Sequence, residues 1–358
     1  MSVDKPHPVH LEPSELGTKE YWDEYYQNDL DNETGALSED EDGDEQDADA
    51  AGGGDDNGDD ASSHQPPPDP TELDSWFDDV GAPAKTLAFL TSTTFPLSPN
   101  YDRSTRRTQT QTQRDNSSDD DPPTLLPSVL DLGTGNGSAL FALRLHGHYA
   151  GPMVGVDYST KSVELARKLC AQYAAAAATS TSSSSSMDNI EFHELDIIHD
   201  IPAAQFWWPS SRGGFDLVLD KGTFDAISLS SSTVFDAPSN RPRRICELYP
   251  AKVLAMVKPG GFLLVTSCNW TEAEVVAWFT TMGGGENGSD STNNTTETAE
   301  TAEQKEEEQR QSTGISETGV FEVYHTIKYP VFEFGGQKGQ GVASVCFRKV
   351  QRRRPDQR

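Results

Sequence analysis

The sequence is poor in the residues that mark several special classes of protein. Its 4 cysteines stand far apart, with no C-x-x-C pair and no histidine at ligand spacing, so neither a metal site nor a disulfide framework is expected. No apolar run reaches the length of a membrane span, and residues 1–10 contain no apolar segment typical of a signal peptide. We therefore expect an intracellular protein, cytoplasmic or else nuclear, that contacts neither membrane nor nucleic acid. Oligomeric state has no sequence signature, and a monomer is the expectation we adopt.

Basic residues are also scarce, and the imbalance is concentrated at one end of the chain. Residues 1–80 contain 26 Asp and Glu and 2 Lys, a net charge of −24 out of −30, which leaves −6 for residues 81–358. Such a run of like charges is typical of a solvated segment without a core. We assign it to an acidic disordered insert at 38–70, whose role stays open between a spacer and a segment that attracts a basic partner.

Other tracts have no regular spacing of apolar residues and are also predicted as disordered inserts, at 96–123, near 174–187 and near 283–313. Ser230–Pro242 is predicted as a short loop of the same composition. Without these tracts the chain has about one ordinary domain's worth of residues. The predicted organisation is an amino-terminal segment at 1–37, the acidic insert, a helical continuation of the domain at 71–95, the main domain at 124–349 and a basic tail at 350–358.

The most specific local pattern is a glycine turn between a short apolar run and a helix. Residues Val129 to Gly137 read Val-Leu-Asp-Leu-Gly-Thr-Gly-Asn-Gly, and Asp157 follows a second apolar run 20 positions after the last glycine. A buried strand, a turn that a ligand can approach closely, and a helix form the first half of a βαβ unit. The carboxylate of Asp157, at the end of the second strand, is then placed to accept both hydroxyls of a ribose.

The spacing of the glycines distinguishes between cofactors. A dinucleotide-binding turn is usually G-x-G-x-x-G, whereas here Gly133, Gly135 and Gly137 alternate, and Asp131 stands just before them. An acid at that point repels a pyrophosphate but suits an ammonium group. S-adenosylmethionine carries an ammonium, a ribose and an adenine without any phosphate, so the pattern favours this methyl donor over NAD.

Strands and helices continue to alternate along the chain. Apolar or alternating runs predict further strands at 190–195, 215–219 and 262–266, and a closing pair at 320–327 and 342–348. Helical periodicity fills the intervals, with one helix at about 245–257 that ends at Lys258-Pro259-Gly260-Gly261. The pattern predicts an α/β, Rossmann-like fold: a mostly parallel seven-strand sheet with a closing antiparallel strand and long disordered insertions.

In such a sheet, ligands bind at the carboxyl ends of the strands. Asp196 and Ile197 follow the third strand, where they are expected to contact the adenine, although a loop acid beside a core isoleucine is an alternative. Asp220, at the end of the fourth strand, opens the segment Asp-Lys-Gly-Thr-Phe-Asp. Methyl transfer to an amine needs a neutral nitrogen held away from water, and we expect Asp220 to orient that nitrogen or help remove its proton.

Several blocks together carry a resemblance to a known family. They are Leu16-Gly-Thr-Lys-Glu-Tyr-Trp, Ser75-Trp-Phe, the glycine turn, Gly155-Val-Asp-Tyr-Ser, Asp220-Lys-Gly-Thr-Phe-Asp, Lys258-Pro-Gly-Gly, Thr266-Ser-Cys-Asn-Trp-Thr and Phe332-Glu-Phe-Gly-Gly. The chain resembles the eukaryotic protein-lysine methyltransferases that modify translation elongation factor 1-alpha. The turn and Lys-Pro-Gly-Gly occur in many methyltransferases, whereas Gly-Thr-Lys-Glu-Tyr-Trp, Asp-Lys-Gly-Thr and Phe-Gly-Gly together are much more specific.

The resemblance implies S-adenosylmethionine as the donor, a lysine of elongation factor 1-alpha as the acceptor, and Asp131 at the methionine end of the donor. It also implies donor contacts from Thr134, Tyr158 and Asp220, and a lid in which Tyr21 and Trp22 cross the pocket. Two alternatives stay open: a methyltransferase acting on a small molecule, and a non-catalytic cofactor-binding module of the same fold.

Overall fold

The computed structural model of the chain describes residues 9–35, 67–73, 75–102, 126–179, 186–236, 241–281, 319–334 and 337–351. The insert predicted near 283–313 lies outside these residues, as does almost all of the basic tail. The same holds for most of the inserts predicted at 38–70 and 96–123.

The described strands are, in chain order, β1 Val129–Leu132, β2 Met153–Asp157, β3 Ile190–Glu194, β4 Phe215–Lys221, β5 Thr233–Asp236, β6 Arg241–Arg244, β7 Val257–Ser267, β8 Val320–Ile327, β9 Val331–Phe334, β10 Gln337–Gln340 and β11 Ala343–Val350. Seven of them form one sheet in the order β3-β2-β1-β4-β7-β11-β8. The pairs from β3 to β7 are parallel, and β11 is antiparallel to both of its neighbours. The predicted seven-strand sheet with a closing antiparallel strand is confirmed.

The described helices are α1 Lys19–Gly35, α2 Ala82–Leu90, α3 Ser138–Leu145, α4 Thr160–Thr179, α5 Thr223–Ser228, α6 Ile245–Met256 and α7 Glu272–Thr281. They enclose the sheet, so apolar side chains pack in two clusters, one on each face. In β4, for example, Leu217 and Leu219 belong to one cluster and Val218 to the other, as the two-residue period of a strand requires. None of the helices in the described ranges is long and apolar enough to cross a membrane.

Two local expectations are wrong. The alanines at 174–178, predicted as part of an insert, continue α4 to Thr179, because alanine has the highest helix propensity. The segment Ser230–Pro242, predicted as a loop, includes β5 and the start of β6, which pair antiparallel. The predicted helix end before Lys258 is confirmed, since α6 ends at Met256; Lys258–Gly261 then lies at the start of β7, where the register against β4 shifts.

An amino-terminal strap crosses the carboxyl ends of the parallel strands. The backbone N–H of Ser14 donates to the carbonyl oxygen of Leu229 at 3.0 Å, and Arg244 Nη1 donates to the carbonyl of Leu11 at 2.7 Å. Helix α1 then packs against α4. The strap and helix α1 therefore form a roof over the edge of the sheet where the predicted site residues end their strands.

Candidate functional site

A cavity of about 470 Å³ lies at this edge of the sheet, within the range of roughly 300–1,000 Å³ that is common for small-molecule sites. Its lining comes from the loops that follow β3, β2, β1, β4 and β7, together with α1 and the segment Ser75–Phe77. Because these strands are neighbours in that order, the cavity runs across five consecutive strand ends. One end therefore lies over β3 and the other over β7.

The glycine turn forms part of the cavity wall and has no room for side chains. Gly133 and Gly135 have φ angles of 59° and 58°, in the left-handed region that favours glycine. A Cβ atom on Gly133 would collide with Oγ1 of Thr223, and one on Gly135 would lie 2.6 Å from Oη of Tyr26. The turn is thus held between α5 on one side and α1 on the other, with its backbone facing the cavity.

Asp157 also lines the cavity, and its carboxylate is almost completely buried. One oxygen accepts a hydrogen bond from the backbone N–H of Gly135 at 3.1 Å, and the other accepts one from Ser159 N–H at 3.0 Å. Burial raises the pKa of Asp157, and these two hydrogen bonds partly oppose the shift. The Ser162 side chain also hydrogen-bonds to this carboxylate. A carboxylate has about four acceptor positions, so capacity remains to accept from a ligand hydroxyl group.

The loop after β3 brings Asp196, Ile197 and His199 to the same wall, and Tyr158 lines it from the loop after β2. Burial raises the pKa of Asp196, but hydrogen bonds from His199 and Ile198 outweigh burial and the net shift is downward. His199 Nδ1 lies 2.8 Å from a carboxylate oxygen of Asp196. This end of the cavity therefore combines an ionised acid with the apolar side chains of Leu195 and Ile197.

Two further residues predicted to contact the donor, Asp131 and Gly137, lie outside the cavity lining. Oγ1 of Thr134 donates to Asp131 at 2.8 Å, and burial raises the pKa of this carboxyl to about 6. A Cβ on Gly137 would meet the rings of Phe141 and Phe192, on the far side of the turn. Asp131 and Gly137 therefore lie on the side of the glycine turn away from the cavity, while Thr134 lines the cavity.

Asp220 also lies outside the lining, and its carboxylate faces α5 and α6 instead. One oxygen accepts from the backbone N–H groups of Thr223 and Phe224 at 3.0 and 3.1 Å, and the other accepts from Tyr249 Oη at 2.8 Å. Burial raises its pKa to about 7. In this structure the Asp220 side chain organises the turn after β4, and Lys221, Gly222 and Thr223 line the cavity; its expected role at the acceptor nitrogen stays a prediction.

Helix α1 supplies the aromatic cover expected of a lid. Trp22 lines the cavity, and its indole Nε1 donates to the carbonyl of Leu16 at 2.8 Å. Its ring centroid lies 5.4 Å from that of Trp76, which follows the acidic tract, so a ring contact tethers the two segments. Tyr26 lines the cavity one helical turn after Trp22. The i, i+4 spacing of the two rings on one helix face could have revealed Tyr26 in the sequence.

The loops after β4 and β7 meet at the other end of the cavity, at the sheet edge where the sequence placed them without a binding role for Asp225, Cys268 or Asn269. Lys221 and Asp225 line the cavity there, as do Cys268 and Asn269. Asp225 accepts from Ser267 Oγ at 2.5 Å and from Cys268 N–H at 2.9 Å, and burial raises its pKa to about 6. Their positions depend on which strand face each residue occupies and on the neighbouring order of β4 and β7, which the local pattern does not specify.

Comparison with known proteins agrees with this geometry. A model of a methyltransferase domain matches residues 127–329, more than half of the chain. Protein-lysine N-methyltransferase EFM4 of Saccharomyces cerevisiae is 29% identical over 95% of this chain and 96% of its own length. Protein-lysine N-methyltransferase efm4 of Schizosaccharomyces pombe is 32% identical over 61% of this chain and 68% of its own length.

A human relative, EEF1A lysine methyltransferase 2, is 26% identical over 62% of this chain and 66% of its own length. The matched region contains the glycine turn, Asp157 and the strand ends that surround the cavity. The chain therefore belongs to the methyltransferase-domain family and, within it, to the group of the protein-lysine N-methyltransferases.

Proposed function

We propose that this protein transfers a methyl group from S-adenosylmethionine to a lysine side chain of translation elongation factor 1-alpha. The observation that carries this proposal is the match to the budding-yeast protein-lysine N-methyltransferase over nearly the full length of both chains. The human relative is named for its acceptor, EEF1A. The cavity across five strand ends is the place in this chain where the two substrates meet.

The residues present fit S-adenosylmethionine. Any Cβ at Gly133 or Gly135 would collide with its neighbours, so the bare backbone can approach a ligand. Asp157 is placed to bind the ribose hydroxyls, and Asp196 with Ile197 to bind the adenine. Tyr158, Thr134 and Trp22 complete this half of the wall. When bound, the donor supplies a methyl group on a positively charged sulfur, which becomes a neutral thioether as the amine nitrogen takes the methyl group.

The acceptor enters, on this proposal, over the ends of β4 and β7. The residues assigned to the adenine and ribose lie in the loops after β3 and β2, so the acceptor lysine is assigned to the opposite end of the cavity, near Asp225 and the loop after β7. A lysine nitrogen must be neutral and close to the methyl group, in a site that excludes water. Asp225 is the acid that lines the cavity here, and with a pKa of about 6 it is ionised at neutral pH and can orient the nitrogen.

The direct test uses labelled S-adenosylmethionine, the purified chain and elongation factor 1-alpha isolated from cells that lack this enzyme. We expect label on a single lysine, located by mass spectrometry, and none with the Asp157→Ala variant. Glu191→Gln, an exposed acid on β3 outside the cavity, is the matched control and should keep full activity. Label confined to small molecules would favour the small-molecule methyltransferase, and an absence of donor binding would favour the non-catalytic module.

We further propose that the protein acts as a monomer in the cytoplasm, where a translation factor is encountered. Cell fractionation and light scattering of the purified chain test these two points. Enrichment in the nucleus, or a dimer at micromolar concentration, would contradict them.

A further inference from the structure

The cavity has acids on several sides and few cations. Its acidic lining residues are Glu20, Asp29, Asp157, Asp196 and Asp225, and its basic ones are Lys19, His199 and Lys221. Lys19 is paired with Asp23 at 3.0 Å, and His199 with Asp196 at 2.8 Å. Within the described ranges, the ammonium of Lys221 makes no hydrogen bond and no ion pair. The cavity therefore presents one cation that is not already neutralised by a carboxylate in contact with it.

Lys221 lies at the last position of β4, next to the glycine turn. It shares a strand face with Leu217 and Leu219, and Leu219 is the register partner of Asp131 on β1. Burial lowers the pKa of Lys221, while the more distant charges of Asp131, Asp78 and Asp220 oppose that shift. The Lys221 side chain is partly exposed and lines the cavity, so an anion in the cavity can contact the ammonium and form a charge-assisted hydrogen bond with it.

The proposed donor contains one anionic group, the α-carboxylate of its methionine part. Its adenine and ribose are assigned to the residues after β3 and β2, so the methionine part extends along the cavity towards β1 and β4. Lys221 stands at the β4 position in that order.

We propose that Lys221 binds the α-carboxylate of S-adenosylmethionine and of the product S-adenosylhomocysteine, an inference that rests on the proposed function. The carboxylate then neutralises the ammonium, so an incoming acceptor lysine meets no unpaired positive charge at the β4 end. The acidic lining elsewhere would repel a carboxylate, which orients the methionine part within the cavity.

The test measures binding and needs no acceptor. S-adenosylhomocysteine and its decarboxylated analogue are titrated by calorimetry into wild type and Lys221→Met. For the wild type, loss of the ligand carboxylate should weaken binding about 10- to 100-fold, as expected for a charge-assisted hydrogen bond. Lys221→Met should weaken the binding of S-adenosylhomocysteine by a similar factor and leave the binding of the analogue nearly unchanged. Lys221→Arg should restore part of the preference for the ligand with the carboxylate.

Lys328→Met is the matched control, since it removes an exposed lysine that pairs with Glu272 outside the cavity. Thermal unfolding of each variant identifies any that is not folded, and Lys221→Arg keeps the test informative if Lys221→Met is not. Equal weakening of both ligands, or no change in either, would overturn the assignment of Lys221. A change confined to the KM of the acceptor would overturn it as well, by placing the ammonium on the acceptor side. If the wild type binds S-adenosylhomocysteine but labels no protein, the proposed acceptor fails and the role of Lys221 stands.

Discussion

Gly135 is the position where the contact between the roof and the glycine turn can be tested by stability alone. In Gly135→Ala, the new methyl group would lie 2.6 Å from Oη of Tyr26, while the next nearest ring atoms are 3.4 and 3.7 Å away. The backbone also has a φ of 58°, which costs an alanine about 1–2 kcal/mol. Forcing α1 away adds about 1–3 kcal/mol of overpacking, so we expect a loss of about 2–5 kcal/mol in the free energy of unfolding.

Two further substitutions separate these contributions. Gly81 has a similar φ of 66° with no atom within 4 Å of its Cβ position, so Gly81→Ala reports the backbone cost alone. Tyr26→Phe removes the colliding hydroxyl, so in the Gly135→Ala background it should recover the overpacking part, with Tyr26→Phe alone as the reference. Urea unfolding at neutral pH followed by tryptophan fluorescence is the assay. A cost for Gly135→Ala no larger than that for Gly81→Ala, or no recovery in the double variant, would refute the contact between α1 and the turn.

Three other predictions concern charge and the acidic tract. Asp157→Ala should weaken S-adenosylhomocysteine at least about 10-fold in calorimetry, since a charge-assisted hydrogen bond contributes roughly 1.5–3 kcal/mol, and near-normal affinity would show that the ribose is bound elsewhere. The pKa of Asp220 is about 7 in the folded protein and 3.8 in the unfolded chain. Between pH 3.8 and 7 the folded state therefore binds a proton that the unfolded state has lost, and the free energy of unfolding falls as pH rises. Asp220→Asn should flatten that fall in denaturation curves from pH 4 to 7 while donor affinity is kept, and an unchanged slope would contradict the pKa. Deleting the acidic tract at 38–66 should leave turnover unchanged, since the motifs assigned to the donor all lie outside it; a large drop that high salt reproduces in the full chain would instead show recruitment of a basic substrate surface.

The order of strands and helices follows from local rules and could be predicted. Apolar runs, capping residues and glycine turns act over a few positions, and the acids at 157, 196 and 220 all lie at the end of their strands or within two residues of it. The alanine tract was mistaken for part of an insert because its composition is simple, although its helix propensity is high. The ladder of β5 and β6 was missed because its strands, 4 residues each, are short and largely polar.

The sequence by itself determined the α/β fold, the glycine turn and the edge of the sheet where the site lies. Only the tertiary structure decided which neighbouring residues face the cavity. Asp220 and Lys221 are adjacent in sequence, yet the acid turns to Tyr249 and the lysine lines the cavity. Successive side chains in a strand point to opposite faces, and which face is open depends on the helices packed against each side. Helix packing likewise places Tyr26, which lies more than 100 positions earlier in the chain, against Gly135.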